Sequence, residues 1–231
     1  MRNLLIVLFI FCMVACGKPP GRTPVPSPSS VFVAYPASLQ PTLTRINRCA
    51  GEISGLVIYW LPDALMSLQL GSSRIEEKNV YQIGVEEILF IVNSGNPIES
   101  ISTNEVQSIY SGEQANWEDS SDAIQVWSYP TENSLRLFVE EALPDAIRLT
   151  LRAKIAPNPQ AMLEAVSSDS RAIGIIPASW MENAEEAYEV KLVTLDASLQ
   201  EALMQPILVT LDELPTFELK ALLACLQADG G

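Results

Sequence analysis

From residue 31 onward, short apolar runs alternate with stretches whose apolar residues recur at helical spacing. Strands separated by helices produce that alternation, and it predicts an α/β chain with a largely parallel sheet. The strand candidates are 31–34, 56–59, 88–92, 124–128, 149–152, 173–176 and 206–211. Between them, Leu39, Leu43, Ile46 and Ala50 share one helical face, as do Leu135, Phe138, Val139 and Ala142. Met162, Leu163 and Val166 form a further stripe, and Leu219, Leu222, Leu223 and Leu226 form the last. Ser38 sits where an N-cap belongs, Pro62-Asp63 suits a helix first turn ending at Gly71, and Ser102 and Glu105 have capping-box spacing. Asn133-Ser134 and Asn158-Pro159 open two more helices.

The N-terminus has a different character. Met1-Arg2-Asn3 is followed by eleven uninterrupted apolar residues, 4–14, too short for a bilayer core of about 30 Å. Residues 1–15 therefore read as a signal peptide. Ala15-Cys16-Gly17 resembles the lipobox of bacterial lipoproteins, so Cys16 is the expected lipidation site and 16–30 the lipidated cysteine with its tether. The alternative is an ordinary secretory signal with an incidental cysteine. Residues 17–30 carry five prolines and no apolar run, which gives a spacer of roughly 40 Å. An extracytoplasmic domain held at the cell membrane by lipid is the expectation.

Charge narrows the function. From residue 23 there are 11 basic and 28 acidic residues, a formal charge of −17. A basic face for nucleic acid is excluded, because phosphate contacts need clustered Lys and Arg. The chain has no histidine, which removes Ser-His-Asp and Cys-His catalysis and imidazole metal ligation. No nucleophile-elbow, phosphate-loop or dinucleotide fingerprint is present, so the chain does not read as an enzyme and no catalytic residue or cofactor is expected. With Cys12 and Cys16 gone from the mature body, Cys49 and Cys225 remain, either as a disulfide or as two buried thiols. Neither has a CxxC neighbour, so no metal site is expected.

Two serine-containing turns, at Ser38 and at Asn133-Ser134, each stand between a strand and a helix. Helix starts present free N–H groups and a positive dipole end to anions. Arg136 lies in the first turn of the second of these helices; a surface salt bridge is its other reading.

Several blocks then line up in order: Tyr35-Pro36-Ala37-Ser38, Val92-Asn93, Asn96-Pro97, Ile109-Tyr110-Ser111-Gly112, Asn116-Trp117, Asn133-Ser134-Leu135-Arg136 with Phe138, and Ala172-Ile173-Gly174-Ile175. Together they resemble the phosphate-binding-protein-like branch of periplasmic solute-binding proteins. The resemblance implies the two-lobed type II fold with a ligand cleft. The first lobe would hold 31–90 with 206–231, and the second 91–205. It implies Ser38, Asn133, Ser134 and Arg136 as ligand-binding residues, a small oxyanion such as phosphate as ligand, an ABC permease as partner and a monomeric state. The family's Ser-Gly-Thr-Arg reads Asn-Ser-Leu-Arg here, its Gly-Ser loop reads Ala-Ser, and its Asp position reads Ser67. The alternative is a degenerate binding-protein domain acting as an envelope sensor or adaptor without transport.

Overall fold

The computed structural model describes residues 29–62, 64, 66–71, 79–117, 123–143, 148–182, 184 and 187–230. The signal core, Cys16 and the tether up to residue 28 lie outside the described residues. The strands are β1 (Ser29–Ala34), β2 (Leu56–Trp60), β3 (Met66–Leu70), β4 (Asn79–Asn93), β5 (Ser100–Ile101), β6 (Gln125–Ser128), β7 (Lys154–Ile155), β8 (Ala172–Pro177), β9 (Val190–Leu192), β10 (Thr194–Leu195) and β11 (Met204–Leu211). The helices are α1 (Thr42–Gly51), α2 (Thr103–Ser111), α3 (Ser134–Ala142), α4 (Pro159–Ser167), α5 (Ala178–Met181), α6 (Ala197–Ala202) and α7 (Phe217–Asp229). The chain is thus α/β, as expected, but its sheet is not largely parallel: β4 and β11 pair antiparallel with each other and with β8, β9 and β3, because these are the two strands on which the chain crosses between its halves.

The main sheet runs β2-β1-β3-β11-β4-β8-β6-β7, with β9 also on β4. β4 is the strand common to both halves. Residues 79–87 pair antiparallel with β11, and residues 88–92 pair antiparallel with β8. On one side lie β1, β2, β3 and β11 with α1 and α7 packed together; on the other lie β6, β7 and β8 with α4. The chain passes between the halves at residues 87–88 and 203–204, where the Ile88 amide donates to the Leu203 carbonyl at 3.1 Å.

The connection from β2 to β3 needs no crossover helix. Trp60 ends β2 and Met66 begins β3, and both pair with Val33 of β1. The chain therefore steps from one flank of β1 to the other within residues 61–65. A helix was expected here, from Pro62 to Gly71. Met66, Leu68 and Leu70 are buried in strict alternation, and the strand is held between β1 and β11. Period two, fixed by two neighbouring strands, overrides a local helix signal.

Other differences have local causes. β1 starts at Ser29 because Ser29 and Ser30 pair with Leu56 and Val57, so the tether gives up its last two residues. Ser38 is not an N-cap. It sits inside a 3-10 turn, Ala37–Leu39, and α1 begins only at Thr42. The turn closes i→i+3 bonds up to the Gln40 amide on the Ala37 carbonyl, and Pro41, without an N–H, cannot supply the next one to the Ser38 carbonyl, which accepts from the Trp180 indole instead. The strand expected at 149–152 is absent. The Thr150 amide bonds the Tyr110 carbonyl at 2.7 Å and the chain turns, with Leu151 fully exposed, before pairing as β7.

Three helix starts follow the local chemistry. Ser102 and Glu105 form a reciprocal capping box on α2, which ends at Gly112 with φ +86°. Asn133 and Asn158 cap α3 and α4 through their side-chain oxygens, at 2.9 Å from the Leu135 and Ala161 amides. Each such cap is worth about 1 kcal/mol. Cys49 and Cys225 form a disulfide that joins α1 to α7, with Cα atoms 5.9 Å apart.

Candidate functional site

A cavity of about 640 Å³ lies between the ends of β1 and β3 and the exposed face of α3. The strand side contributes Tyr35 and Pro36 beyond β1, Pro62, and Ser67, Gln69 and Leu70 from β3. The helix side is Ser134, Leu137, Phe138 and Glu141, with Glu132 from the preceding turn. Spacings of three and four place those helix residues on one face. Leu135 and Val139 point the other way and are buried, which fixes the rotation of α3. Its orientation is set by the Asn133 cap and by a turn in which the Asn133 amide donates to the Pro130 carbonyl at 3.0 Å.

The walls touch at one end. A Cβ on Gly71 would lie 2.1 Å from Cζ of Phe138, so the phenyl ring rests directly on the glycine backbone. Gly71 also has φ +85°, and its amide donates to the Pro206 carbonyl at 2.9 Å. Both the conformation and the close approach demand glycine.

Of the residues expected to bind ligand, Ser134 lines the cleft. Asn133 stands behind it with its side-chain oxygen committed to the Leu135 amide. Arg136 lies on the inner side of α3, where its Nε meets the Glu140 carboxylate at 2.7 Å; it faces a small interior pocket with Tyr110, Ser128 and Ile175. Ser38 is buried, and its carbonyl accepts from the Trp180 indole at 3.0 Å. The structure thus brings Ser134 to the cleft and holds Ser38 and Arg136 in contacts away from its lining. Ser67 is on the lining, its hydroxyl 2.6 Å from that of Thr210. Gln69, Phe138, Glu132 and Glu141 also line the cleft; the 134/138/141 spacing puts Ser134, Phe138 and Glu141 toward one side of α3 but does not say what that side meets.

Among the described lining residues the acidic side chains are Glu132 and Glu141, with no Lys or Arg. In the first turn of α3 the Leu135 amide is taken by the Asn133 side chain and the Leu137 amide by the Asn133 carbonyl, so an oxyanion here would meet the Ser134 and Arg136 amides and neutral hydroxyls, with the Arg136 side chain already ion-paired. At the junction of the halves, the buried Glu86 carboxylate accepts from the Ser179 amide at 2.9 Å. Burial pushes its pKa above the usual carboxylate range, and the hydrogen bond from Ser179 partly offsets the shift. Cys49, Cys225 and Asp229 lie close together, but the two sulfurs are bonded to each other and supply no thiolate for a metal. Among the described residues no helix is long and apolar enough to cross a membrane.

A family model described as PBP superfamily domain matches residues 67–216. No curated protein matches the chain. Among solved structures, a phosphate ABC transporter substrate-binding protein from Clostridium perfringens, with bound phosphate, aligns with TM-score 0.74 at 17% identity, over 86% of this chain and 93% of that one. An ABC-type phosphate transport receptor from Vibrio cholerae gives 0.60 at 14% identity, over 85% and 93%. The CcmR regulatory domain from Synechocystis, in complex with 2-PG, gives 0.66 at 10% identity, over 87% and 97%. Such identities speak to fold alone, and the fold is the two-lobed one of phosphate-binding-protein-like chains. With the family model covering well over half its length, the chain belongs to the PBP superfamily.

Proposed function

We propose that this chain is an extracytoplasmic solute-binding lipoprotein of an ABC-type uptake system, closing its cleft on a small solute that carries an oxyanion group. One observation carries the reading: the N-terminal turn of α3, with Ser134, opens onto a cavity bounded by both halves of the molecule. First-turn amides and a hydroxyl bind an oxyanion without net positive charge, as a body of strongly acidic composition requires. Asn133 fixes that turn. Arg136 reaches the solute only by exchanging Glu140 for it, and Ser38 acts through the turn that follows β1. The phosphate transport proteins of similar fold support the ligand class and the permease partner. The domain acts as a monomer at the membrane through lipid on Cys16.

Calorimetry of the mature chain against phosphate, sulfate, molybdate, tungstate and organic oxyanions tests the binding claim. Ser134→Ala should weaken the best ligand by about 2- to 10-fold, the loss of one neutral hydrogen bond. Cys16→Ser should release the protein from the membrane fraction. The regulatory domains of similar fold favour a second reading, an envelope sensor without transport. Absence of binding across the panel would turn the case to an adaptor.

A further inference from the structure

The cleft-facing stripe of α3 is ordered by polarity. Ser134 stands at the N-terminal end, Leu137 and Phe138 in the middle, and Glu141 in the last turn. At 1.5 Å per residue, Ser134 and Glu141 are about 10 Å apart along the axis. The helix dipole runs the same way, positive at Ser134 and negative at Glu141. Glu140 and Glu141 both sit at the negative end, where acids disfavour the helix, and the last turn holds no base. Glu140 is compensated by Arg136. Glu141 is exposed on the cleft and has no ion-pair partner among the described residues. The described residues of the facing wall are neutral, among them Tyr35, Pro36 and Leu70, and the phenyl ring of Phe138 rests on Gly71. The open cleft, about 640 Å³, has room for an organic ligand along the length of α3.

We propose that the solute is an elongated zwitterion, with its oxyanion at the Ser134 end, an apolar span along Leu137 and Phe138, and an ammonium at Glu141. This rests on the reading of the cleft as a solute site and names its substrate class. The separation of about 10 Å matches roughly three residues of extended chain, so a short peptide with free termini, or an ω-amino acid, meets both ends at once. Each charge then lies against the helix end of opposite sign. Glu132, exposed on the turn before α3, lies at the anionic end and opposes the head group.

The test is calorimetry of the full mature chain against trialanine, N-acetyl-trialanine, 6-aminohexanoate and inorganic phosphate. Trialanine or 6-aminohexanoate should bind, and N-acetylation should weaken trialanine by about tenfold or more. Glu141→Gln should abolish that discrimination, and Glu132→Gln should tighten the zwitterion. Both side chains are exposed, so neither variant threatens the fold. Equal binding of trialanine and its acetylated form overturns the proposal, as does phosphate binding without the zwitterions; the solute-binding reading then stands. Binding of no probe overturns this proposal, and failure with the wider oxyanion panel removes the solute-binding reading as well.

Discussion

β8 and the β1–β2 pair are both apolar strands of one sheet, yet they live differently. All six residues of β8 are buried, and Gly174 is pressed so closely that a Cβ would lie 2.5 Å from Sδ of Met162 on α4. In β1 and β2 burial alternates, and Phe32 and Tyr59 stack on the open face with ring centroids 5.4 Å apart, each nearly half exposed. The difference comes from the connections. The chain between β6 and β8 is long enough to include α4, which covers β8. The step from β2 to β3 is five residues, and a parallel strand needs a crossover of a dozen or more to gain a helix on its face. The less covered half is also the one that carries the disulfide.

That contrast can be broken at several points. The largest effect is expected from Phe90→Ala in the shared strand, which removes a fully buried ring set edge-on to Tyr110 and should cost about 3–5 kcal/mol in denaturant unfolding. Replacing Cys49 and Cys225 together by Ala should cost about 2–4 kcal/mol, since the bond closes a loop between residues 176 apart. A much smaller loss would mean that the open half does not lean on its cross-link. Gly174→Ala should cost about 1–3 kcal/mol, because Met162 and Val166 must give way. Phe32→Ser should change stability by no more than about 1 kcal/mol. A larger loss would show that the face is covered in solution.

A pH series sharpens the comparison at the junction. Glu86 holds its proton more tightly in the folded chain than in the unfolded one, where its pKa is near 4.5. Its stabilising contribution is therefore full below that value and is lost as pH rises through the folded pKa. Glu105 behaves oppositely: hydrogen bonds from Ser102 lower its pKa, so its contribution is present at neutral pH and lost on acidification. Glu86→Gln should remove the limb that falls as pH rises above the unfolded value of 4.5 and leave the Glu105 limb, which lies below it; melting curves recorded on both sides of that pH would separate the two.

Much of this architecture was legible because its signals are local. The run at 88–92, the Ser102–Glu105 box and the Asn133 and Asn158 caps need only their own neighbours. The cysteine pairing was half legible: two cysteines could be named, but only the meeting of α1 and α7 brings them together. What failed needed a distant partner. Met66–Leu70 is a strand because β1 and β11 flank it, and Leu149 is not in one because Tyr110 takes the neighbouring amide. In the cleft, Ser134 could be named from its turn. Phe138 and Glu141 could not, since nothing local says which side of α3 faces the strand ends.

Both described ends of the chain, Ser29 and Gly230, lie in the half built by β1 and α7, and the Cys49–Cys225 bond lies between them. Tension applied at the two ends therefore runs from β1 through α1, across the sulfurs and out along α7. The loop from residue 50 to 224, which holds the whole second half, the helix wall of the cleft and most of the strand wall, is bypassed by the load. Such a pull is carried by a short circuit of covalent bonds while the second half stays slack. With the two sulfurs reduced, the same pull would pass along β4 and β11, through the two places where the chain crosses between the halves.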